Sequence, residues 1–130
     1  MILRSMHART CRDALWILAA LGAGCNGPHR GGTGGRFADI AEALQAEDPA
    51  RRIEGCLQAK RARDPRAAPL LVDRLEESEP DVRFYAIDAL KHISGQTHGY
   101  CYYAEPAQRA KAVKRWRQWL KQQAGAGEGL

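Results

Sequence analysis

Apolar side chains recur along the middle of the chain with the spacing of an amphipathic helix, in which positions i, i+3, i+4 and i+7 share one face. Each of two such sets predicts a helix, and no stretch alternates apolar and polar residues long enough to predict a strand. The pattern therefore predicts an all-α domain. The two sets are Phe37, Ile40, Ala41 and Leu44, then Ala68, Leu71, Val72 and Leu75.

A second helix is expected after each of these, and a proline marks where it begins. Asp48-Pro49 and Glu79-Pro80 follow the two apolar sets, and proline is tolerated in the first turn of a helix but not in its middle. The chain therefore predicts two helical hairpins in tandem. The apolar residues of the second helices are Ile53, Cys56 and Leu57, then Val82, Ala86, Ala89, Leu90 and Ile93.

The two hairpins are related by a single constant offset, the one that carries Arg52 onto Arg83. Internal repeats of about 20 to 50 residues are typical of solenoids, in which each repeat buries its apolar face against its neighbour. Such stacks offer an extended surface for binding. The other aligned pairs are Ile40 with Leu71, Leu44 with Leu75, Pro49 with Pro80 and Gly55 with Ala86.

The repeated segment resembles the HEAT-like repeats of bacterial proteins. Its second copy reads Pro80-Asp81-Val82-Arg83-x-x-Ala86-x-x-Ala89-Leu90, and the first reads Pro49-x-x-Arg52-x-x-Gly55. The resemblance covers residues 37–94 and is closer in the second copy. It implies a short α-solenoid that binds proteins, and it implies that Arg52, Arg83 and Asp81 pair within and between repeats.

A loop and one more helix are predicted after the second hairpin. Gly95 suits a left-handed helix C-cap, and Pro106 opens a helix that runs to about residue 123. The patterns Gly-Gln-x-x-Gly-Tyr and Ala-Val-x-Arg-Trp-x-x-Trp are similar to the closing element of some bacterial HEAT-like proteins, which implies that Trp116 and Trp119 cap the stack. We predict a short α-solenoid of HEAT-like hairpins with a C-terminal capping helix over residues 37–124, then a disordered tail at 125–130.

The N-terminal segment has the pattern of an export signal. Basic residues precede an apolar run from Ala14 to Gly24, which ends in Leu21-Gly22-Ala23-Gly24-Cys25 and is shorter than the ~20 residues that span a bilayer. It resembles a bacterial lipoprotein signal, with Gly22 where the leucine is expected. The resemblance implies cleavage after residue 24, diacylation of the Cys25 sulfur through a thioether, and acylation, for instance by palmitate, of the new amino group. The alternative is the buried N-terminal helix of a cytosolic protein.

The segment after the signal predicts a tether. Residues 26–36 contain five glycines and no large apolar residue, a composition typical of flexible linkers. We therefore divide the chain into a signal at 1–24, a glycine-rich tether at 25–36 and the helical domain. This organisation predicts a protein of the cell envelope, lipid-anchored to a bacterial membrane on the outer membrane or the periplasmic face.

Charge supports a second interpretation. The chain carries a net charge of +5, and the residues after position 25 hold 17 basic and 14 acidic side chains, which leaves +3. Basic residues gather around the first hairpin and along the last helix, where Trp116 and Trp119 could join them in holding a nucleic-acid backbone. An export signal argues against a nucleic-acid partner. A cytosolic module that binds nucleic acid or an acidic partner is therefore the alternative.

Catalytic and metal chemistry have little support in the sequence. Beyond the signal the only serines are Ser78 and Ser94, and neither stands in the context of a hydrolase nucleophile. His92, His98 and Cys101 provide three metal-ligand types without a fourth, so we predict no metal or other cofactor and keep a metal-binding or enzyme-accessory loop as an alternative. Cys56 is either a buried free thiol or the partner of Cys101 in a disulfide.

Together these patterns predict a non-catalytic, membrane-tethered scaffold module that binds an unidentified protein. The predicted lipidation site is Cys25. Loops on rigid scaffolds often carry function, so we predict that the partner contacts the loop over residues 96–103 and the neighbouring helix face. The residues predicted to form this contact are Arg83, Ile87, Gln96, His98, Tyr100 and Tyr102.

Overall fold

The computed structural model describes residues 33–127, with side chains from Arg36 onward. This part of the chain folds into five α-helices and one 3₁₀ turn and contains no strand, so the all-α prediction is confirmed for it. The predicted signal, Cys25 and the first part of the tether lie outside the described residues. The elements are α1 (Thr33–Leu44), α2 (Pro49–Ala62), the 3₁₀ turn (Pro65–Ala67), α3 (Ala68–Arg74), α4 (Pro80–Ser94) and α5 (Pro106–Ala126).

The helix boundaries follow from local chemistry. Three helices begin at the prolines that the sequence marks, and the Asp48 side chain caps α2 by accepting a 3.0 Å hydrogen bond from the Ala50 amide. Gly95 ends α4 in the left-handed conformation (φ 73°), and its N–H donates to the Lys91 carbonyl, as expected of a C-cap glycine. Arg63 ends α2 with φ 49°.

Two boundaries differ from the sequence prediction. Helix α1 begins at Thr33, inside the segment assigned to the tether, and α5 continues to Ala126, inside the segment assigned to the tail. The residues added to α5, Gly125 and Ala126, are exposed, and those added to α1 are Thr33, two glycines and Arg36, which are small or polar. Apolar periodicity therefore gives no signal for them, and the glycines of both segments disfavour a helix by intrinsic propensity.

The helices pack as two hairpins side by side. Helices α1 and α2 form one pair, α3 and α4 form the other, and α2 lies along α4. Helices α2 and α4 run in the same direction, because Arg52 near the start of α2 bonds Glu77 just before α4, and Lys60 near the end of α2 pairs with Asp88 of α4. Helix α5 packs against α3.

The core lies between these helices. Its largest fully buried side chains come from all five α-helices, and burial of each contributes about 1.5–3 kcal/mol relative to exposure. They are Trp116, Ile40, Leu44, Leu71, Leu75, Leu90, Val72, Val82, Val113 and Cys56. Trp119 and Leu120 are half-buried against this core. Within residues 33–127, no helix combines the length and the apolar character that crossing a membrane requires.

Candidate interaction surfaces

Arg83, predicted to contact a partner, is buried and bonded within the domain. Its side chain is 6% exposed, and its Nη1 donates to the carbonyls of Glu77 and Ser78, each at 2.7 Å. Its Nε donates to the Tyr102 carbonyl at 3.1 Å. The guanidinium therefore caps the turn before α4 and fastens the following loop to that helix.

Arg52 makes the same capping arrangement in the first hairpin. Its Nη1 donates to the carbonyls of Ala46 and Glu47 at 2.9 and 2.6 Å, which are the positions equivalent to Glu77 and Ser78. Its Nη2 pairs with the Glu77 carboxylate at 3.1 Å, across the two hairpins. Asp81 forms no ion pair among the described residues, so Glu77 takes the role that the resemblance implied for Asp81.

Two other predicted contact residues also lie inside the domain. Ile87 is 8% exposed and belongs to the core, and Tyr100 is 3% exposed. The Tyr100 hydroxyl donates to the Leu75 carbonyl at 2.6 Å, and burial raises the pKa of this tyrosine to about 12. Because a partner meets exposed atoms, the described surface offers it little of Arg83, Ile87 or Tyr100.

The loop over residues 96–103 is held against α5. The Trp116 indole donates to the Thr97 carbonyl at 3.1 Å, and Arg115 Nε donates to the His98 carbonyl at 2.8 Å. His98 and Gly99 both have positive φ angles, 48° and 73°, which reverse the chain here. Of the other predicted contact residues, Gln96 is exposed and Tyr102 is half-buried.

The His98 ring packs inside this loop. Its centroid lies 4.4 Å from that of Trp116 in an edge-to-face arrangement. Burial, with the nearby Arg115 cation, lowers the pKa of His98 below the ordinary value of a histidine. The imidazole is therefore neutral near pH 7 and serves as an aromatic packing group.

The structure also places the cysteines and histidines that the sequence singles out. Cys56 is a free buried thiol whose pKa is raised to about 12 by burial, and Cys101 is disulfide-bonded, so these two do not pair with each other. His92 is exposed at the end of α4, whereas the His98 ring packs against Trp116. Within residues 33–127, no three His, Cys, Asp or Glu side chains are placed to hold a metal ion.

A surface cluster of four aromatic rings joins α4 to the end of this loop, and we call it the aromatic ladder. It consists of Tyr85, Phe84, Tyr102 and Tyr103, whose successive ring centroids lie 5.2, 5.2 and 5.1 Å apart in edge-to-face contact. Tyr103 is 60% exposed, and the other three are half-buried. The sequence prediction named Tyr102 and included Tyr103 as the end of the contact loop, but it missed Phe84 and Tyr85, since the contact between Phe84 and Tyr102 joins residues that are distant along the chain.

Charge is distributed unequally between the two ends of the hairpins. At one end α1 and α3 begin and α2 and α4 end; this basic end comprises residues 33–38, 56–70 and 88–95, with six basic and two acidic residues and a net charge of +4. The opposite, acidic end comprises residues 39–55 and 71–87, with four basic and ten acidic residues and a net charge of −6.

An open cleft of about 380 Å³ borders the basic end between α1 and α2. Its lining residues are Arg36, Asp39, Gln58, Arg61 and Ala62. Next to it, the Arg66 guanidinium lies 4.5 Å from the ring centre of Phe37, a cation–π contact that fastens the start of α1 to the connection after α2. The cleft therefore presents two arginines on a fixed scaffold.

Helix α5 carries a separate basic face. It has six basic and no acidic residues, and Lys111, Lys114 and Lys121 are exposed. Arg117 pairs with Glu76 and lies 3.9 Å from Asp73, which joins α5 to the acidic end. Part of this charge is thus used in folding, and the lysines remain at the surface.

Comparison with known proteins adds no assignment: the chain matches no family model, and no curated protein or solved structure is significantly similar to it. The class defined by the structure is an all-helical domain whose distinctive surfaces are the aromatic ladder, the basic end and the α5 lysines.

Proposed function

We propose that this chain is a small HEAT-like α-solenoid that binds a protein partner at the surface of a bacterial membrane, where Cys25 carries a lipid anchor. The observation that carries the proposal is the equivalence of Arg52 and Arg83. Each arginine caps the turn of its own hairpin through the carbonyls of the residues five and six positions before it. Stacked hairpins of this kind serve most often as binding surfaces.

A binding role also suits the chemistry of the described side chains. The Cys56 thiol stays protonated because burial raises its pKa to about 12, and a thiol rather than a thiolate is a poor nucleophile. The Tyr100 hydroxyl is occupied by its hydrogen bond to Leu75. The proposed module is accordingly non-catalytic, and its partner is recognised by shape and surface chemistry.

The aromatic ladder is the surface we assign to the protein partner. Tyrosine and phenylalanine are enriched at protein interfaces, where they bury large areas at a small cost in conformational entropy. The ladder is fixed to α4 through the bond from Arg83 to the Tyr102 carbonyl, so it is ordered before a partner arrives. Of the contact residues predicted from the sequence, Gln96 and the half-buried Tyr102 remain assigned to the contact surface. Arg83, Ile87 and Tyr100 stabilise this surface from inside the domain.

Site-specific photocrosslinking tests the partner assignment. A photoreactive amino acid at Tyr103 is expected to capture a discrete envelope protein, because this side chain is 60% exposed in the ladder. The matched control places the same group at Lys111, which is exposed on α5 outside the ladder. Capture of the same proteins from both positions would show random collision and contradict the assignment.

The lipid anchor is tested separately. Labelled fatty acid is expected to enter the wild-type protein but not Cys25→Ser, and only the labelled protein should partition into detergent. A thioether sulfur cannot also form a disulfide, so recovery of a Cys25–Cys101 disulfide from peptides mapped without reduction would contradict acylation. Absence of label in both proteins would do the same.

A second candidate function follows from the α5 lysines. Lys111, Lys114 and Lys121 form an exposed basic face on a helix without acidic residues, which is an electrostatic footprint for a phosphate backbone. This module would act in the cytosol on nucleic acid or an acidic partner. Gel-shift titration over a range of salt concentrations tests it, since each phosphate contact that is neutralised steepens the salt dependence of binding. Loss of binding in a Lys111→Gln, Lys114→Gln variant would support it.

A further inference from the structure

The charged side chains at the basic end are available to bind an external anion. Arg36, Arg61, Arg63 and Lys91 are exposed, and none of them forms an ion pair among the described residues. The two acidic residues of this end are each engaged within the domain, because Asp64 pairs with Arg66 at 2.6 Å and Asp88 pairs with Lys60 at 2.8 Å. Asp39, which lines the same cleft, is an exposed carboxylate next to this end, and against the four exposed cations it leaves the charge there mostly positive.

At the acidic end, unlike the basic end, the exposed charge is mostly negative. Arg52 and Arg83 are buried and cap the turns before α2 and α4, and Arg74 pairs with Glu77 at 2.9 Å. The arginines of the acidic end are therefore largely withdrawn from the surface. Its exposed carboxylates include Glu47, Asp48, Glu76 and Asp81. The hairpins thus have an electrostatic polarity along their helix axes, with positive charge at the end where α1 begins.

The chain enters the domain at this same end. Helix α1 begins at Thr33, so seven residues, 26–32, separate it from Cys25. Seven extended residues reach at most about 25 Å, and a glycine-rich coil of this length spans about 15 Å on average. If Cys25 is anchored in a bilayer, the basic end is held close to the headgroups, since the attachment point lies within it.

We propose that the basic end, through Arg36 and Arg61 of the α1–α2 cleft together with Arg63 and Lys91 at the same end, docks on the anionic surface of a phospholipid bilayer. This inference rests on the proposed lipid anchor for its biological setting. It adds an orientation: with the basic end on the membrane, the acidic end points away from it. A polarised domain on a short tether favours this orientation because reversal would bring carboxylates toward anionic headgroups.

The expected strength can be set from general electrostatics. Each lysine or arginine near an anionic bilayer contributes about fivefold to partitioning, and the attraction decays within a Debye length of about 8–10 Å. Neutralising two arginines at the basic end should therefore weaken partitioning by about 25-fold. Neutralising two lysines elsewhere on the domain should weaken it much less.

Vesicle sedimentation tests the proposal without the anchor. The probe is the mature form, residues 25–130 with Cys25 and Cys101 both kept, produced without the signal so that no acyl chain is attached, and it is mixed with phosphatidylcholine vesicles that either lack or contain phosphatidylglycerol. The test variant is Arg36→Gln with Arg61→Gln, and the matched control is Lys111→Gln with Lys114→Gln, which removes the same charge from α5. Circular dichroism checks that each protein keeps its helical content.

Salt-sensitive binding to the anionic vesicles alone, lost about 25-fold in the arginine variant and largely kept in the lysine variant, is the expected result. Failure of the parent protein to bind anionic vesicles at low ionic strength would overturn the proposal. Equal loss in both variants would overturn it too, because only total charge would then matter. Since this protein carries no acyl chain, the result is independent of whether Cys25 is lipidated.

Discussion

The two hairpins share one register, but the second is more completely buried than the first. In α4 the residues Val82 and Ala89 are fully buried, whereas the equivalent positions of α2 are the exposed Arg51 and the half-buried Gln58. Helix α4 lies between α2 on one side and the loop over residues 96–103 on the other, while α2 has no described hairpin before it. The two hairpins therefore have similar local geometry, and the elements packed against each one set how much of it is covered.

The two capping arginines show the same difference. Both bind two carbonyls of their own turn, but the third bond of Arg52 goes to the Glu77 carboxylate, and that of Arg83 goes to the Tyr102 carbonyl. Arg52 thus joins the two hairpins, and Arg83 joins the second hairpin to its covering loop. Arginines at equivalent positions of the two hairpins therefore make different tertiary contacts.

The largest expected difference concerns leucines at equivalent positions, Leu75 and Leu44, which are both fully buried. We expect Leu75→Ala to lower the free energy of unfolding by about 4 kcal/mol and Leu44→Ala by about 3 kcal/mol. The Tyr100 hydroxyl ties the covering loop to the Leu75 carbonyl, so we expect the surroundings of Leu75 to relax less. Urea denaturation followed by circular dichroism measures both. A larger loss at Leu44 would contradict the comparison, and the half-buried Leu57 is a control expected to lose less than either.

The next largest effects are expected at the two capping arginines. Replacing Arg83 or Arg52 by methionine leaves partly buried carbonyls of its turn without a donor, and we expect each change to lower the free energy of unfolding by about 2–3 kcal/mol. Only Arg83→Met should also loosen the loop over residues 96–103, seen as faster hydrogen exchange of its protected amides, such as that of Tyr100. If Arg52→Met accelerates exchange in this loop equally, the two arginines do not have separate tasks.

Much of this fold is readable from the sequence, because helix signals are local. Pro49, Pro80 and Pro106 each begin a helix where the sequence predicts one, and Gly95 ends α4 with the predicted left-handed cap. Spacing within one helix also identifies Ile40, Leu44, Leu71 and Leu75 as core residues. The constant offset between the two hairpins could be read for the same reason, since each copy carries its own proline and arginine.

The surfaces were harder to predict because they depend on tertiary contacts. Arginine and tyrosine usually signal exposed, functional positions, yet Arg83 binds the Tyr102 carbonyl and Tyr100 binds the Leu75 carbonyl, which only the folded chain brings near them. The aromatic ladder has the same origin, since Phe84 and Tyr102 meet only after the loop folds back on α4. The charge difference between the basic end and the acidic end could not be predicted from the sequence alone, because it also depends on the directions of the helices.

A smaller effect is expected at Gly55, which stands where the second hairpin has Ala86. A Cβ at Gly55 would lie 2.7 Å from the Leu44 amide nitrogen and 3.0 Å from the Ala43 carbonyl carbon, so α1 would have to move. We expect Gly55→Ala to lower the free energy of unfolding by about 1–2 kcal/mol, despite the better helix propensity of alanine. Gly125→Ala in α5 is the matched control: a Cβ there meets nothing within 4 Å, and stability should be unchanged or slightly raised. Thermal unfolding that ranks the two variants the other way would show that α1 and α2 are less closely packed than Gly55 indicates.

The smallest expected effect is a pH dependence in the loop that covers the second hairpin. Burial, with the Arg115 cation, lowers the pKa of His98 in the folded state, so the unfolded chain binds more protons at this residue. Its stabilising contribution is complete above the unfolded histidine pKa of about 6.5 and is lost as the pH falls below that value toward the folded pKa. His98→Asn should flatten this part of the stability profile, and asparagine tolerates the positive φ of 48° at this position.

His92→Asn, at an exposed position of α4, should leave the slope unchanged. An equal change in slope for both variants would mean that the loop does not desolvate His98, and the covering of the second hairpin would then be looser than its contacts indicate.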